Sequence, residues 1–107
     1  TQYSNMRFIY ITCSNKEEAL SIGKHIVRNK FVACVNIIDG MTSCYWWEGK
    51  VEEATEAILI SKTTEEKVDE LIEEVKRQHS YQVPCVVSLP ILEGNPDYLT
   101  WISESVS

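Results

Sequence analysis

The stretch Cys44-Tyr45-Trp46-Trp47-Glu48-Gly49-Lys50-Val51 sets two adjacent tryptophans beside a tight-turn signal, and it constrains the fold more than any other part of the chain. Residues 32–47 favour strand and include no proline, with Asp39-Gly40 the only break. At about 3.3 Å per residue, a fully extended strand of that length reaches about 50 Å. A compact domain of this size measures only about 30 to 35 Å across, from a radius of gyration of about 13 Å. The tip of the hairpin is therefore expected to overhang its own core. A ribbon of two strands is marginal in water and exposes unpaired backbone edges, so it needs further strands, most simply from another copy of the chain. Trp46 and Trp47 point to opposite faces of such a strand, which makes both faces apolar. Tyr45, Trp46 and Trp47 are thus the expected oligomer interface, and a bent, bulged hairpin within one subunit is the alternative.

With 107 residues, 44% of them apolar, the chain reads as a single domain over 1–107, large enough to bury a core without disulfide or metal staples. A net charge of −6 leaves it without the basic footprint that phosphate backbones require, so nucleic acid is not an expected partner. Cys13, Cys34, Cys44 and Cys85 are widely scattered with no C-x-x-C pair, a pattern of reduced thiols in a cytoplasmic protein. No stretch is long and apolar enough to span a membrane as a helix, and the beginning of the chain lacks a basic-then-apolar signal pattern, so no membrane partner is expected. Residues 1–5 carry no initiating methionine and read as a trimmed, disordered end.

The periodicity then sorts the chain into elements. Residues 7–13 form a β-branched and aromatic run, a strand. Ala19, Leu20, Ile22, Gly23, Ile26 and Val27 recur at helical spacing, and Ser14 with Glu17 makes a capping-box pattern, which predicts a helix over 15–29. The second arm of the hairpin is expected over 51–62. Thr63 and Glu66 offer another capping box ahead of an apolar stripe of Val68, Leu71, Ile72 and Val75, a helix ending near Gln78. Strand character returns over 83–92, where Pro84 and Pro90 demand an edge or bulged position because proline lacks a backbone donor. Asn95-Pro96-Asp97 starts a last helix with a cap, a proline in the first turn and a favourable acid, and Tyr98, Leu99, Trp101 and Ile102 would dock it. The order β-α-β-β-α-β plus a terminal helix is an α+β, ferredoxin-like arrangement with both long helices on one face of an antiparallel sheet. Oligomerisation is the expected cover for the other face.

Five motifs in this order resemble the CutA family of divalent-cation-tolerance proteins: Ala33-Cys34-Val35-Asn36-Ile37, Tyr45-Trp46-Trp47-Glu48-Gly49-Lys50, Lys62-Thr63, His79-Ser80-Tyr81-Gln82-Val83-Pro84 and Tyr98-Leu99-Thr100-Trp101-Ile102. The likeness extends over residues 8–106. It implies a homotrimer whose long hairpins pair around a threefold axis, as in the PII signalling proteins. It also implies a role in copper and other divalent-metal tolerance and the response to metal ions, and, for animal relatives, a proposed part in anchoring acetylcholinesterase.

The resemblance further implies metal ligands at the end of the first strand and after the second helix, which fall on Cys13 and His79. Cys85 stands where relatives carry an acid, and Ser80 and Gln82 replace a proline and a glutamate. A set of Cys13, His79 and Cys85 would be soft and would favour Cu(I), since thiolate and imidazole bind late first-row ions better than carbonyls do. For Cys13, Cys34 and Cys44 the other reading is packing as small hydrophobes, and for His79 it is helix capping. His25 is expected on a solvated face, as are Glu65, Glu66, Asp69, Glu70, Glu73 and Glu74.

A second constellation, Tyr45, Trp47, Lys62, His79, Tyr81 and Trp101, would gather near an intersubunit cleft in the trimer. Aromatic walls with one or two cations suit a small anionic ligand, and an aromatic interface core explains the same residues without a ligand. The chain lacks a Ser-His-Asp pattern, H-E-x-x-H and a phosphate-binding glycine loop, so the reading is a nonenzymatic binding protein without an organic cofactor. Copper or another divalent metal is its expected ion, and a protein partner is the alternative to a small ligand in the cleft.

Overall fold

The structure, a computed structural model, describes residues 5–107. The disordered end expected over 1–5 lies, Asn5 apart, outside the described residues. The elements run β1 (Met6–Cys13), α1 (Lys16–Arg28), β2 (Cys34–Trp47), β3 (Lys50–Thr64), α2 (Val68–Gln78), β4 (Val86–Pro90) and α3 (Pro96–Ser105). The strands form one antiparallel sheet in the order β2-β3-β1-β4, the ferredoxin-like topology with an added terminal helix.

Alternation along β1 and β3 separates the two faces. Ile9, Ile11 and Cys13 pair with Ser61, Leu59 and Ala57 in register. The apolar members of this set are buried under Ala19, Ile22 and Ile26 of α1 and Leu71 and Val75 of α2. Gly23 lets α1 approach closely, since a Cβ there would stand 3.1 Å from Val35 Cγ2 and 3.3 Å from Leu59 Cδ1. On the opposite face α3 covers one end, where Leu99 and Ile102 pack with Met6 against Ala33 and Ile91. Elsewhere on that face Ile38, Val87 and Leu89 are exposed.

The hairpin is as long as its sequence demands. Trp47 pairs with Lys50 around the two-residue turn Glu48-Gly49, whose φ angles of 49° and 80° match the positive-φ turn that follows the right-handed twist of a hairpin. Between Ile38 and Met41 the register shifts, and Gly40 takes a φ of 75° that suits glycine in a bulge. The hairpin is bulged, as the alternative reading had it, and it still extends the molecule to 44 Å against 25 and 23 Å in the other directions. Trp46 at its tip is 74% exposed and its cross-strand partner Val51 58%.

Several local expectations are corrected. The capping box of α1 sits one residue later than the Ser14/Glu17 pattern: Asn15 Oδ1 accepts from Glu18 N–H at 2.8 Å, and Glu18 Oε1 accepts from Ser14 N–H and Oγ–H at 2.9 Å. Thr63 is not a cap, because β3 runs on to Thr64 and Thr63 Oγ1–H donates to Phe31 O at 2.7 Å. A 3-10 turn over Glu65–Lys67 then leads into α2. Glu74 is not solvated: it pairs across the helices with His25, which stays 35% exposed, and it also accepts from Arg77. Cys44, expected to pack, is exposed. The fourth strand is shorter than expected and leaves Pro84 outside it, but it pairs with β1 alone, the edge position that its prolines require.

Candidate functional site

Cys13 closes β1 on the helix-covered face, Glu18 lies in the first turn of α1, and His79 caps α2, its N–H bonded to Val75 O. Chain direction brings these three ends to one corner, and their ligand atoms all fall within 4.8 Å of one another. Sulfur, imidazole and carboxylate form a donor set suited to zinc or copper.

His79 and Glu18 are already engaged. His79 Nε2–H donates to Thr12 O at 2.7 Å, and Nδ1 accepts from Tyr81 N–H at 3.0 Å, which fixes the tautomer by its partners. Glu18 Oε2 accepts from Ser80 N–H at 2.8 Å and lies 3.9 Å from His79 Nδ1. Burial pushes the Glu18 carboxyl up, but hydrogen bonds from the side chains and backbones of Ser80 and Ser14 outweigh it and hold the group at about 2. Burial, with help from Glu18 and Glu56, pushes the Cys13 thiol up to about 12. An ion at this corner would therefore have to displace the Cys13 proton and the Tyr81 amide.

Cys85 does not join this cluster. It lies across the sheet, near Thr12, and lines a cleft of about 610 Å³ between the hairpin and the segment 81–85. Burial and the Glu56 charge raise its thiol, against a hydrogen bond to Thr12 that lowers it. The third donor is thus Glu18, which sequence reasoning missed. Its signal was present: moving the capping pattern from Ser14/Glu17 to Asn15/Glu18 turns that carboxylate back toward the end of β1.

The cleft collects part of the aromatic constellation. Tyr45, Trp47 and Tyr81 line it with Tyr10, Met41 and Glu56. Beyond the bulge the odd residues of β2 share the face of Glu56, so Met41, Tyr45 and Trp47 turn into the cleft. Tyr81 O–H donates to Glu56 Oε2 at 2.6 Å, and burial followed by that contact raises the phenol well above its ordinary range. The Tyr81 and His79 rings lie 4.7 Å apart, so one short segment links the donor corner to the cleft.

Lys62 and Trp101 stand elsewhere. Lys62 Nζ donates to Asn36 Oδ1 at 3.1 Å and sits 5.7 Å above the Tyr98 ring, against which Trp101 stacks at 5.5 Å. Among the described residues of one chain, Lys62, the cation of the anionic-ligand reading, does not line the cleft. Its own charged group is Glu56, an acid set among the apolar residues of β3 and overlooked in the sequence.

No helix among the described residues is long and apolar enough to cross a membrane. The model of the CutA1 divalent ion tolerance protein family matches residues 7–105. The Divalent-cation tolerance protein CutA of Archaeoglobus fulgidus is 48% identical over 99 residues, which cover 92% of this chain and 96% of that protein. Protein CutA 1, chloroplastic, of Oryza sativa is 47% identical over 91% of this chain, which spans only 55% of the rice protein's length. Among solved structures, CutA1 from Oryza sativa superposes with a TM-score of 0.94 at 43% identity, covering all of this chain and 98% of that one. The structure described as the periplasmic divalent cation tolerance protein CutA of Archaeoglobus fulgidus gives 0.92 at 47% identity, over 95% and 99% of the two chains. Sequence, topology and the long hairpin agree on one assignment: the chain belongs to the CutA1 divalent ion tolerance protein family.

Proposed function

We propose that this protein is a trimeric, nonenzymatic metal-binding protein that acts in divalent-metal homeostasis, with copper or zinc held by Cys13, Glu18 and His79. The observation that carries the reading is the convergence of a thiol, a carboxylate and an imidazole within 4.8 Å. The carboxylate shifts the preference from Cu(I), which a Cys85 ligand would have favoured, toward the divalent ions. The trimer is supported by the apolar ribbon that carries Tyr45, Trp46 and Trp47 and by the uncovered half of the sheet. A cytoplasmic compartment rests on four free cysteines without a pairing framework.

Titration of the reduced protein with Zn2+, and with Cu+ kept anaerobic, under a competing chelator tests this reading. It predicts about one ion per chain, bound tightly enough to compete, with Cys13→Ala, Glu18→Gln and His79→Ala each weakening it at least about tenfold, the usual scale for losing a ligand or its orienting partner. Cys85→Ala should leave the affinity unchanged. Weak binding indifferent to all four substitutions would refute the site. Because the thiol must deprotonate, affinity should rise with pH.

The cleft favours a second reading: a trimeric scaffold or PII-like signalling module that takes a small ligand or protein partner there and meets metal only incidentally. A volume of about 610 Å³ lined by Tyr45, Trp47 and Tyr81 supports it.

A further inference from the structure

The cleft holds a carboxylate without a countercharge. Glu56 is 7% exposed. Its Oε2 accepts one hydrogen bond, from the neutral Tyr81 hydroxyl, and Oε1 accepts none among the described residues. Among the described residues no basic side chain lines the cleft, and no Lys, Arg or His pairs with Glu56. Oε1 is unpartnered without being sealed from solvent, so a cation that enters the cleft can reach it and gain a charge-assisted hydrogen bond. The walls suit the same visitor: Tyr10, Tyr45, Trp47 and Tyr81 line the cleft, and aromatic rings attract ammonium groups over their faces. A cleft of about 610 Å³ has room for a charged head and a body of several carbons.

We propose that this cleft is a binding site for a small organic cation, with an ammonium group on Glu56 and an aromatic or aliphatic body against Tyr45 and Trp47. The inference rests on the cleft-binding reading and reverses the ligand charge that the sequence led us to expect. The ammonium N–H groups donate to Glu56 Oε1, leaving the Tyr81 bond to Oε2 intact, so the site need not rearrange to fill.

Three probes of one shape test it on the assembled protein: benzylammonium, benzyl alcohol and benzoate, followed by the Trp47 indole N–H resonance, assigned by Trp47→Phe. The expected result is a saturable shift with benzylammonium at a Kd at least about tenfold below those of the other two, the scale of one charge-assisted hydrogen bond. Glu56→Gln should abolish that preference. Equal affinities for the three probes, or preference for benzoate, would overturn the cation site while sparing the cleft. No shift with any probe would overturn both, as would a partner subunit filling the cleft with its own basic side chain. A tenfold preference that persists in Glu56→Gln would remove Glu56 as its source. The wild-type comparison decides the ligand charge even where the variant fails to fold.

Discussion

At the residue scale, the charged groups that organise this molecule are partly buried acids met by donors rather than a field of solvated charge. Glu74 shows it most simply. Hydrogen bonds from Arg77 first, then from His25, hold its carboxyl down at about 2, below an ordinary value of 4.5. The ionised form is the one that folding favours. Its contribution is therefore fully present above the ordinary carboxylate pKa and is lost as pH falls through the folded value. Urea midpoints should place Glu74→Gln below the wild type at pH 6, and the gap should close as the pH falls from about 4.5 toward about 2. A gap of constant size across that range would contradict the assignment. The sequence could not separate Glu74 from Glu73 or Glu70, because all lie on one charged helix. Only the packing of α1 against α2 sets Glu74 opposite His25. Glu18 and Glu56 were missed for the same reason: an acid's role depends on which donors tertiary structure brings to it.

At the scale of elements, the chain was more readable. Helical and strand periods located every strand and α-helix, and the Glu-Gly turn, the Asp-Gly break and the Asn-Pro-Asp start each fell where the structure uses them. Errors came at boundaries, where two adjacent capping patterns compete: Ser14/Glu17 and Asn15/Glu18 differ by one residue, and the chain's exit from β1 selects the second. The hairpin turn carries a definite consequence. Gly49 holds a φ of 80°, where a Cβ meets no neighbouring atom within 4 Å but strains the backbone. Gly49→Ala should therefore destabilise the protein by about 1–2 kcal/mol, the cost of left-handed backbone for an L-residue, readable as a lowered urea midpoint. An unchanged midpoint would mean that the turn relaxes to another type without loss. The bulge at Gly40 matters more for function, since the register shift there directs Met41, Tyr45 and Trp47 into the cleft.

For the whole molecule, the long ribbon expected from the sequence is present because strand length is set by covalent spacing, and the trimer proposed above would cover its apolar residues. Trp46→Glu at the exposed tip should convert a sedimenting trimer to smaller species, since it places charge on a face meant for a partner strand. A wild-type chain that sediments as a monomer at micromolar concentration would refute the trimer. Which third ligand completes the donor corner was not readable, because Cys85 is near Cys13 in the sheet yet faces the other way. Zinc K-edge X-ray absorption on the stoichiometrically loaded protein tests whether Cys13, Glu18 and His79 bind the metal together. The account predicts one sulfur at about 2.3 Å with imidazole and oxygen scatterers at about 2.0–2.2 Å, unchanged by Cys85→Ala. A spectrum with no sulfur, or with a second sulfur that Cys85→Ala removes, would contradict it.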